Sequence, residues 1–121
     1  MSATVTMGTL LTLYSATGQE APWSVAFQTQ VTQWRGKSSL ELQPLGGQIA
    51  ALYTGLTTVR VLMLMCDQTL RLVLGSSAAP PLSVDAYAPV LLGALTLSGT
   101  QIYVANMATV VANLVYSCGG D

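Results

Sequence analysis

The chain has 121 residues, of which 51% are hydrophobic and only 7% are charged, with a net charge of −1. This length suits one domain over residues 1–121 with a core of its own. Its four scattered cations do not form a phosphate-binding patch, and its apolar runs are shorter than the roughly 20 residues of a spanning helix, so we expect no direct nucleic-acid contact and no membrane span.

The low charge favours a subunit whose surface is buried in an assembly. Typical soluble domains are about one quarter charged, and scattered charge keeps their surfaces apart. The start of the chain lacks the basic and long apolar segments of a secretory signal, which predicts use without export by that route. In a reducing cytoplasm, Cys66 and Cys118 would then be free thiols.

Short alternating segments between glycine- and proline-rich breaks predict an all-β fold, an antiparallel β-sandwich or jelly roll of about eight short strands. In the first half, Thr4–Tyr14 predicts a strand, and a short arm over residues 1–4 is compatible with the polar start. Residues 15–24 predict a loop. Val25–Trp34 alternates strictly and, with a turn at Gly36, predicts a hairpin with Ser38–Leu42.

The second half continues the same pattern. Gln48–Tyr53 predicts a crossover or a short strand, because flanking glycines leave too little length for a helix. Two further hairpins are expected, the first turned at Asp67-Gln68 and the second with Asn106 in a left-handed turn position. The predicted segments are Thr57–Cys66, Thr69–Leu74, an edge strand at Leu82–Val84, one or two strands within Val90–Leu97, Thr100–Ala105 and Thr109–Tyr116.

The segment from Val59 to Cys66 is apolar on both faces except for Arg60. A sandwich strand has one inner face, so something must cover the other, and the sparse charge favours a second subunit. We place Leu62 and Leu64 beside Arg60 on the face that meets this subunit. Arg60 is either an interface anchor, or a structural side chain that snorkels at a sheet end or pairs with a neighbour such as Asp67 or Glu41.

Two tryptophans complete the candidate interface. Trp23 and Trp34 favour core or interface anchoring, although aromatic rings also suit a sugar-stacking platform. The candidate interface therefore comprises Arg60, Leu62, Leu64, Trp23 and Trp34.

Catalytic groups are scarce. The chain contains no histidine, which removes the commonest general base and metal ligand, and two cysteines with five isolated acids do not make a standard zinc site. A carboxylate pair drawn from Glu20, Glu41, Asp67 and Asp85 would be needed for glycoside hydrolysis, yet each lies at or beside a predicted turn. We expect no enzymatic activity, no cofactor and no metal.

The C-terminal half, RVLMLMCDQTLRLVL…GTQIYVANMATVVANLVY, resembles small virion proteins of tailed bacteriophages. In both, an apolar strand leads into an Asp-containing turn and a second strand, followed by an x-I-x-V-x-N segment and a closing hydrophobic strand before glycines. The resemblance covers about the last 65 residues, from Thr57, and Asp67 and Asn106 match its turn positions. It implies a β-sandwich or jelly roll that decorates or cements a capsid, or builds part of a tail.

Composition and resemblance lead to one expectation. The chain is expected to be a structural subunit of a virion, assembled in the host cytoplasm, that self-associates as a trimer or similar oligomer and binds the major capsid protein. The alternatives are a tail, collar or fibre-base component, and a carbohydrate- or receptor-binding β-sandwich that uses Trp23 and Trp34.

Overall fold

The computed structural model describes residues 3–11, 14–15, 18–19, 23–44, 49–93 and 95–121. None of these residues is helical, so the described chain is all-β, as predicted. The strands are β1 Ala3–Leu11, β2 Tyr14–Ser15, β3 Gly18–Gln19, β4 Trp23–Val31, β5 Gln33–Leu42, β6 Ala50–Ala51, β7 Thr58–Cys66, β8 Leu70–Leu74, β9 Leu82–Val84, β10 Val90–Leu92, β11 Leu97–Ser98, β12 Ile102–Asn106 and β13 Ala112–Gly120.

Two antiparallel sheets form a β-sandwich. The front sheet has the order β10-β7-β13-β5, with β11 also paired with β7, and the back sheet has the order β6-β12-β8-β9. Strands of both sheets contribute the core between them, because their alternate residues point to the same interior. Its fully buried members include Leu62, Leu70, Leu72, Ile102, Val104 and Leu114.

Two of the predicted hairpins are wrong. β7 lies in the front sheet and β8 in the back sheet, so Asp67-Gln68 forms an arch between the sheets. β12 and β13 are separated in the same way. Turn residues set a local change of direction, whereas packing against the core decides which sheet each strand joins.

The predicted hairpin around Gly36 is also wrong. β5 runs unbroken through Gly36 and pairs with β13, whereas β4 pairs with β1. Glycine adopts extended backbone as readily as a turn, and pairing of β5 with β13 holds Gly36 in the extended conformation. A bulge in the pairing between β5 and β13 lies close to this glycine, between Tyr116 and Cys118.

Several other predicted elements are confirmed. Leu82–Val84 is edge strand β9, and the segment within Val90–Leu97 forms β10 and β11 along β7. The crossover contains the short strand β6, although residues 45–48 lie outside the described residues. The predicted loop at 15–24 is wrong in part, because Ser15 belongs to β2, Gly18–Gln19 is β3, and Trp23 and Ser24 begin β4.

The first four strands form a ribbon, defined here as β1 to β4. β1 and β4 pair over nine residues each, and β2 pairs with β3. At the base of the ribbon, β4 leads through Thr32 into β5. Ala3 and Thr4 belong to β1, so half of the expected arm over residues 1–4 is strand, while residues 1–2 lie outside the described residues.

Thr32 is tied to the end of β13. Its amide donates to the carbonyl oxygen of Gly120 at 2.9 Å, and its hydroxyl lies 3.2 Å from Oδ1 of Asp121. Residues almost 90 positions apart therefore fix the point where the ribbon joins the sandwich.

Asn106 is a buried side-chain clamp and does not occupy the predicted left-handed turn position. Among described residues, Tyr87 is the non-glycine residue with positive φ. Asn106 Nδ2 donates to the carbonyl oxygens of Leu42 at 3.0 Å and Val110 at 2.7 Å, and Oδ1 accepts from the amide of Ala108 at 2.8 Å. The side chain thus links β5 of the front sheet to the arch after β12.

Replacing Asn106 with alanine should destabilise the fold. The carbonyl oxygens of Leu42 and Val110 would lose their Asn106 donor, and each unsatisfied buried polar group costs about 1–3 kcal/mol. Urea unfolding of Asn106→Ala should show a fall in the free energy of unfolding within about 2–4 kcal/mol. An exposed-site control, Asn113→Ala, should cost less; equal losses would contradict the clamp.

Candidate interaction surface

The face of β7 that points to solvent is the opposite of the face predicted to do so. Leu62 and Leu64 are 0% and 4% exposed and belong to the core, whereas Met63 and Met65 are 38% and 41% exposed. Because both rows of β7 are apolar, alternation alone does not reveal which row faces inward. The prediction that Leu62 and Leu64 form an interface is therefore wrong, and the methionine row takes their place.

Met63 and Met65 line a shallow groove on the solvent side of the front sheet. The front groove has a volume of about 290 Å³, and Lys37 is its one charged lining side chain among the described residues. Leu91, opposite Met63 in the β10–β7 pairing, is 44% exposed at the same surface. The lining residues include Lys37, Met63, Met65, Leu91, Val115 and Ser117.

Trp34 extends this apolar surface towards Val61. A Cβ atom built on Gly119 would lie 2.6 Å from Cε3 of Trp34 and 3.0 Å from Cγ2 of Val61, so the indole lies directly over the glycine. Trp34 remains 45% exposed. The front face is defined here as Trp34, Val61 and the residues of the front groove.

Trp23 is the first residue of β4, opposite Leu11 in the ribbon. Its side chain lies outside the described residues. Its role as an interface residue, like that of Trp34, stays a prediction.

Arg60 forms an ion pair with Asp121 and with neither of its expected partners, Asp67 and Glu41. The Nη2 and Nε atoms of Arg60 lie 2.8 Å from Oδ2 of Asp121. The hydrogen bond from Arg60 lowers the pKa of the Asp121 carboxyl below its ordinary value, and Thr32 contributes in the same direction. Arg60 therefore holds the junction between ribbon and sandwich.

The fold should lose stability in acid through Asp121. A carboxyl whose pKa is lower in the folded state stabilises the fold above its unfolded pKa, which is about 3.9 for aspartate. That contribution disappears as the pH falls through the lower, folded pKa. Urea midpoints measured from pH 6 to pH 2 should therefore fall below about pH 4, and Asp121→Asn should reduce this fall. An unchanged acid profile in that variant would contradict the assignment.

Among the acidic residues considered for catalysis, Asp67 has side-chain hydrogen bonds in the described structure. Both carboxylate oxygens of Asp67 accept hydrogen bonds from Asn113, from its amide at 2.7 Å and its Nδ2 at 2.9 Å. These bonds lower the pKa of Asp67 and fix the arch after β7. Glu41 lies opposite Asn113 in the pairing of β5 with β13. Glu20 lies outside the described residues.

The described part of the chain contains no group of three or more Cys, Asp or Glu side chains placed to hold a metal ion. It also contains no helix of the length and apolarity needed to cross a membrane.

Cys66 and Cys118 are free and buried in the core. Burial raises the pKa of both thiols; at Cys118 the nearby Arg35 acts in the opposite direction. Both are therefore small core residues protected from reagents in solution.

The apolar front face is thus the candidate interaction surface of the described structure. Comparisons of the chain with protein-family models, with curated proteins and with solved structures find no match.

Proposed function

We propose that this chain is a non-enzymatic structural subunit of a bacteriophage virion. Its proposed role is a capsid decoration or cement protein that self-associates and binds the major capsid protein. The observation that carries the proposal is the front face, where Met63, Met65, Leu91 and Trp34 are exposed beside a single charge. Apolar surface of this kind marks a site of association between proteins.

The strand order supports the same proposal, and we infer a jelly roll from it. Numbered from one to eight along the chain, the sandwich strands are β5, β6, β7, β8, β9, β10 with β11, β12 and β13. The front sheet then has the order 6-3-8-1 and the back sheet 2-7-4-5. Strands one and eight, two and seven, three and six, and four and five are neighbours, as in two interlocked Greek keys, a fold of viral capsid and lectin domains.

Sheet edges support an assembly as well. The edge strands β6, β9, β10 and β11 have at most three residues each, whereas β5 has ten residues at the other edge of the front sheet. Short edge strands limit unwanted pairing. A long edge strand beside an apolar face is typical of a subunit in which a neighbouring subunit covers that edge.

Light scattering behind a sizing column tests self-association. The full chain should elute as a closed oligomer, such as a trimer, over micromolar concentrations. A monomer of 12.6 kDa at tens of micromolar would overturn the proposal.

The number of copies in purified virus particles separates decoration from a tail role. Quantitative mass spectrometry should find hundreds of copies for a shell component. A few to a few dozen copies would instead assign the chain to the tail, collar or fibre base.

A carbohydrate-binding protein is the second candidate, favoured by the exposed indole of Trp34 and by the occurrence of this fold among lectins. Titration of the full chain with a glycan series should then change the tryptophan fluorescence, and Trp34→Ala should abolish that change. A normal oligomer with no fluorescence change would reject this candidate.

A further inference from the structure

We infer that the ribbon is an exchanged arm, whose apolar face packs on the front face of a neighbouring copy of the same chain. This inference rests on the proposed self-association and names the two surfaces that meet. The occupant of the front groove is therefore a second copy, through its paired strands β1 and β4.

The register of the ribbon separates apolar from polar positions. Residues directly opposite each other in an antiparallel pair lie on the same face, and the faces alternate along the strand. On one face lie the pairs Ala3–Val31, Val5–Thr29, Met7–Phe27, Thr9–Val25 and Leu11–Trp23; on the other lie Thr4–Gln30, Thr6–Gln28, Gly8–Ala26 and Leu10–Ser24.

The exposure of described ribbon residues follows the same division. Thr4, Thr6, Gln28 and Gln30, all on the polar face, are exposed. On the apolar face, Thr29 is half-buried and Val31, next to the junction, is buried. A two-stranded ribbon is marginal in water by itself, so its apolar positions need a surface to pack against.

The front face offers such a surface, since Met63, Met65 and Leu91 stay exposed in the folded chain with its own ribbon present. Sizes agree: nine residues of strand span about 30 Å, and β7 and β13 have nine residues each. The ribbon therefore matches the front sheet of a neighbour in length when it lies along these strands.

The charges of the ribbon and of the front face are also compatible with contact between them. Glu20 is the one charged residue among positions 1–34, and Lys37 is the one charged residue lining the described front groove. Packing two surfaces that are otherwise uncharged avoids the cost of burying unpaired charges. The lysine at the front groove disfavours a partner rich in basic residues, whereas the described strands of the ribbon carry no charged side chain.

The buried area is sufficient for a stable contact. A ribbon about 30 Å long and 10 Å wide covers roughly 300 Å² on each partner. Reciprocal exchange of two ribbons would then bury roughly 1,200 Å² in total, the lower limit of standard interfaces. The ten-residue edge of β5, which continues from the ribbon, would add to this contact.

Cysteine cross-linking between two kinds of full-length chain tests the exchange. One chain carries Phe27→Cys, on the apolar face of the ribbon; the other carries Met63→Cys and a tag that changes its mass. After mixing and reassembly, treatment with a short bis-maleimide should join the two kinds of chain. Native Cys66 and Cys118 are buried and should not compete.

The matched control is Gln28→Cys, the next residue, on the polar face. We expect at least fivefold more cross-linking with Phe27→Cys than with Gln28→Cys, and Val25→Cys against Ser24→Cys provides a second matched pair if Phe27→Cys fails to fold. Equal or absent cross-linking in a confirmed oligomer would overturn arm exchange and leave the proposed self-association intact.

A double variant, with Phe27→Cys and Met63→Cys in the same chain, distinguishes packing within one chain from packing between two chains. A cross-link confined to single chains would place the ribbon on its own front face and overturn the inference. A chain that is monomeric by light scattering would overturn both the inference and the proposed function.

Discussion

Replacing Gly99 with alanine should reduce the free energy of unfolding by about 3 kcal/mol or more. A Cβ atom at this position would lie 1.7 Å from the carbonyl oxygen of Leu56 and 2.8 Å from Oγ1 of Thr54. Because the nearest obstacle is backbone, relief requires the chain itself to move. That movement would disturb two hydrogen bonds, from the Gly99 amide to Thr57 and from Thr54 Oγ1 to the Gly99 carbonyl. Urea unfolding measures the loss.

Gly36→Ala is the matched control, because a Cβ there would have no atom within 4 Å. It should leave stability unchanged or raise it by up to about 1 kcal/mol, since alanine restricts the unfolded chain. A similar loss in both variants would mean that the close approach at Gly99 is not the cause.

Met65→Glu should weaken self-association at least tenfold, which corresponds to about 1.4 kcal/mol. Met65 lies in the front groove, and a carboxylate buried there carries a desolvation cost of several kcal/mol, which the exposed Lys37 of the same groove would offset only in part. Sedimentation equilibrium over a range of concentrations measures the dissociation constant. The folded subunit should be little affected, because the side chain is already 41% exposed.

Met107→Glu is its control, since Met107 is also 41% exposed but follows β12, outside the front groove. We expect its oligomer to dissociate at the same concentration as the unaltered protein. If Met107→Glu were as disruptive as Met65→Glu, or if Met65→Glu had no effect, the front face would not be the interface.

The sequence predicts the class of the fold because alternation and breaks are local properties. The Leu82–Val84 edge strand follows from its flanking prolines. Strict alternation predicts a strand over Val25–Trp34, and the structure has β4 at Trp23–Val31, with Gln33 and Trp34 already in β5. Sheet membership is different: Asp67-Gln68 looks like a hairpin turn, yet it connects two sheets, since the partners of β7 and β8 lie far along the chain. The turn predicted at Gly36 is wrong for a similar reason: glycine also adopts extended backbone, as it does here within β5.

The candidate surface was only partly predictable. One apolar face of β7 is exposed at Met63 and Met65, and its cover by another subunit stays a prediction. The prediction of which face of β7 points to solvent is wrong, since leucine and methionine are both apolar. The residues that indicate the outward face lie in the neighbouring strand β13, where Ser117 and Gly119 alternate with the core residues Tyr116 and Cys118. The partner of Arg60 also depends on the position of Asp121, 61 residues away.

The nested pairing of β5 with β13 has a consequence for synthesis. At about 5–20 residues per second, residue 42 leaves the ribosome's active centre roughly 4–14 s before residue 112. During that interval β5 has no β13 to pair with, and the Thr32–Gly120 contact that anchors the ribbon cannot form. Formation of the front sheet therefore waits until β13 has been synthesised. Nascent copies on one polysome would display unpaired β5 strands side by side during that interval.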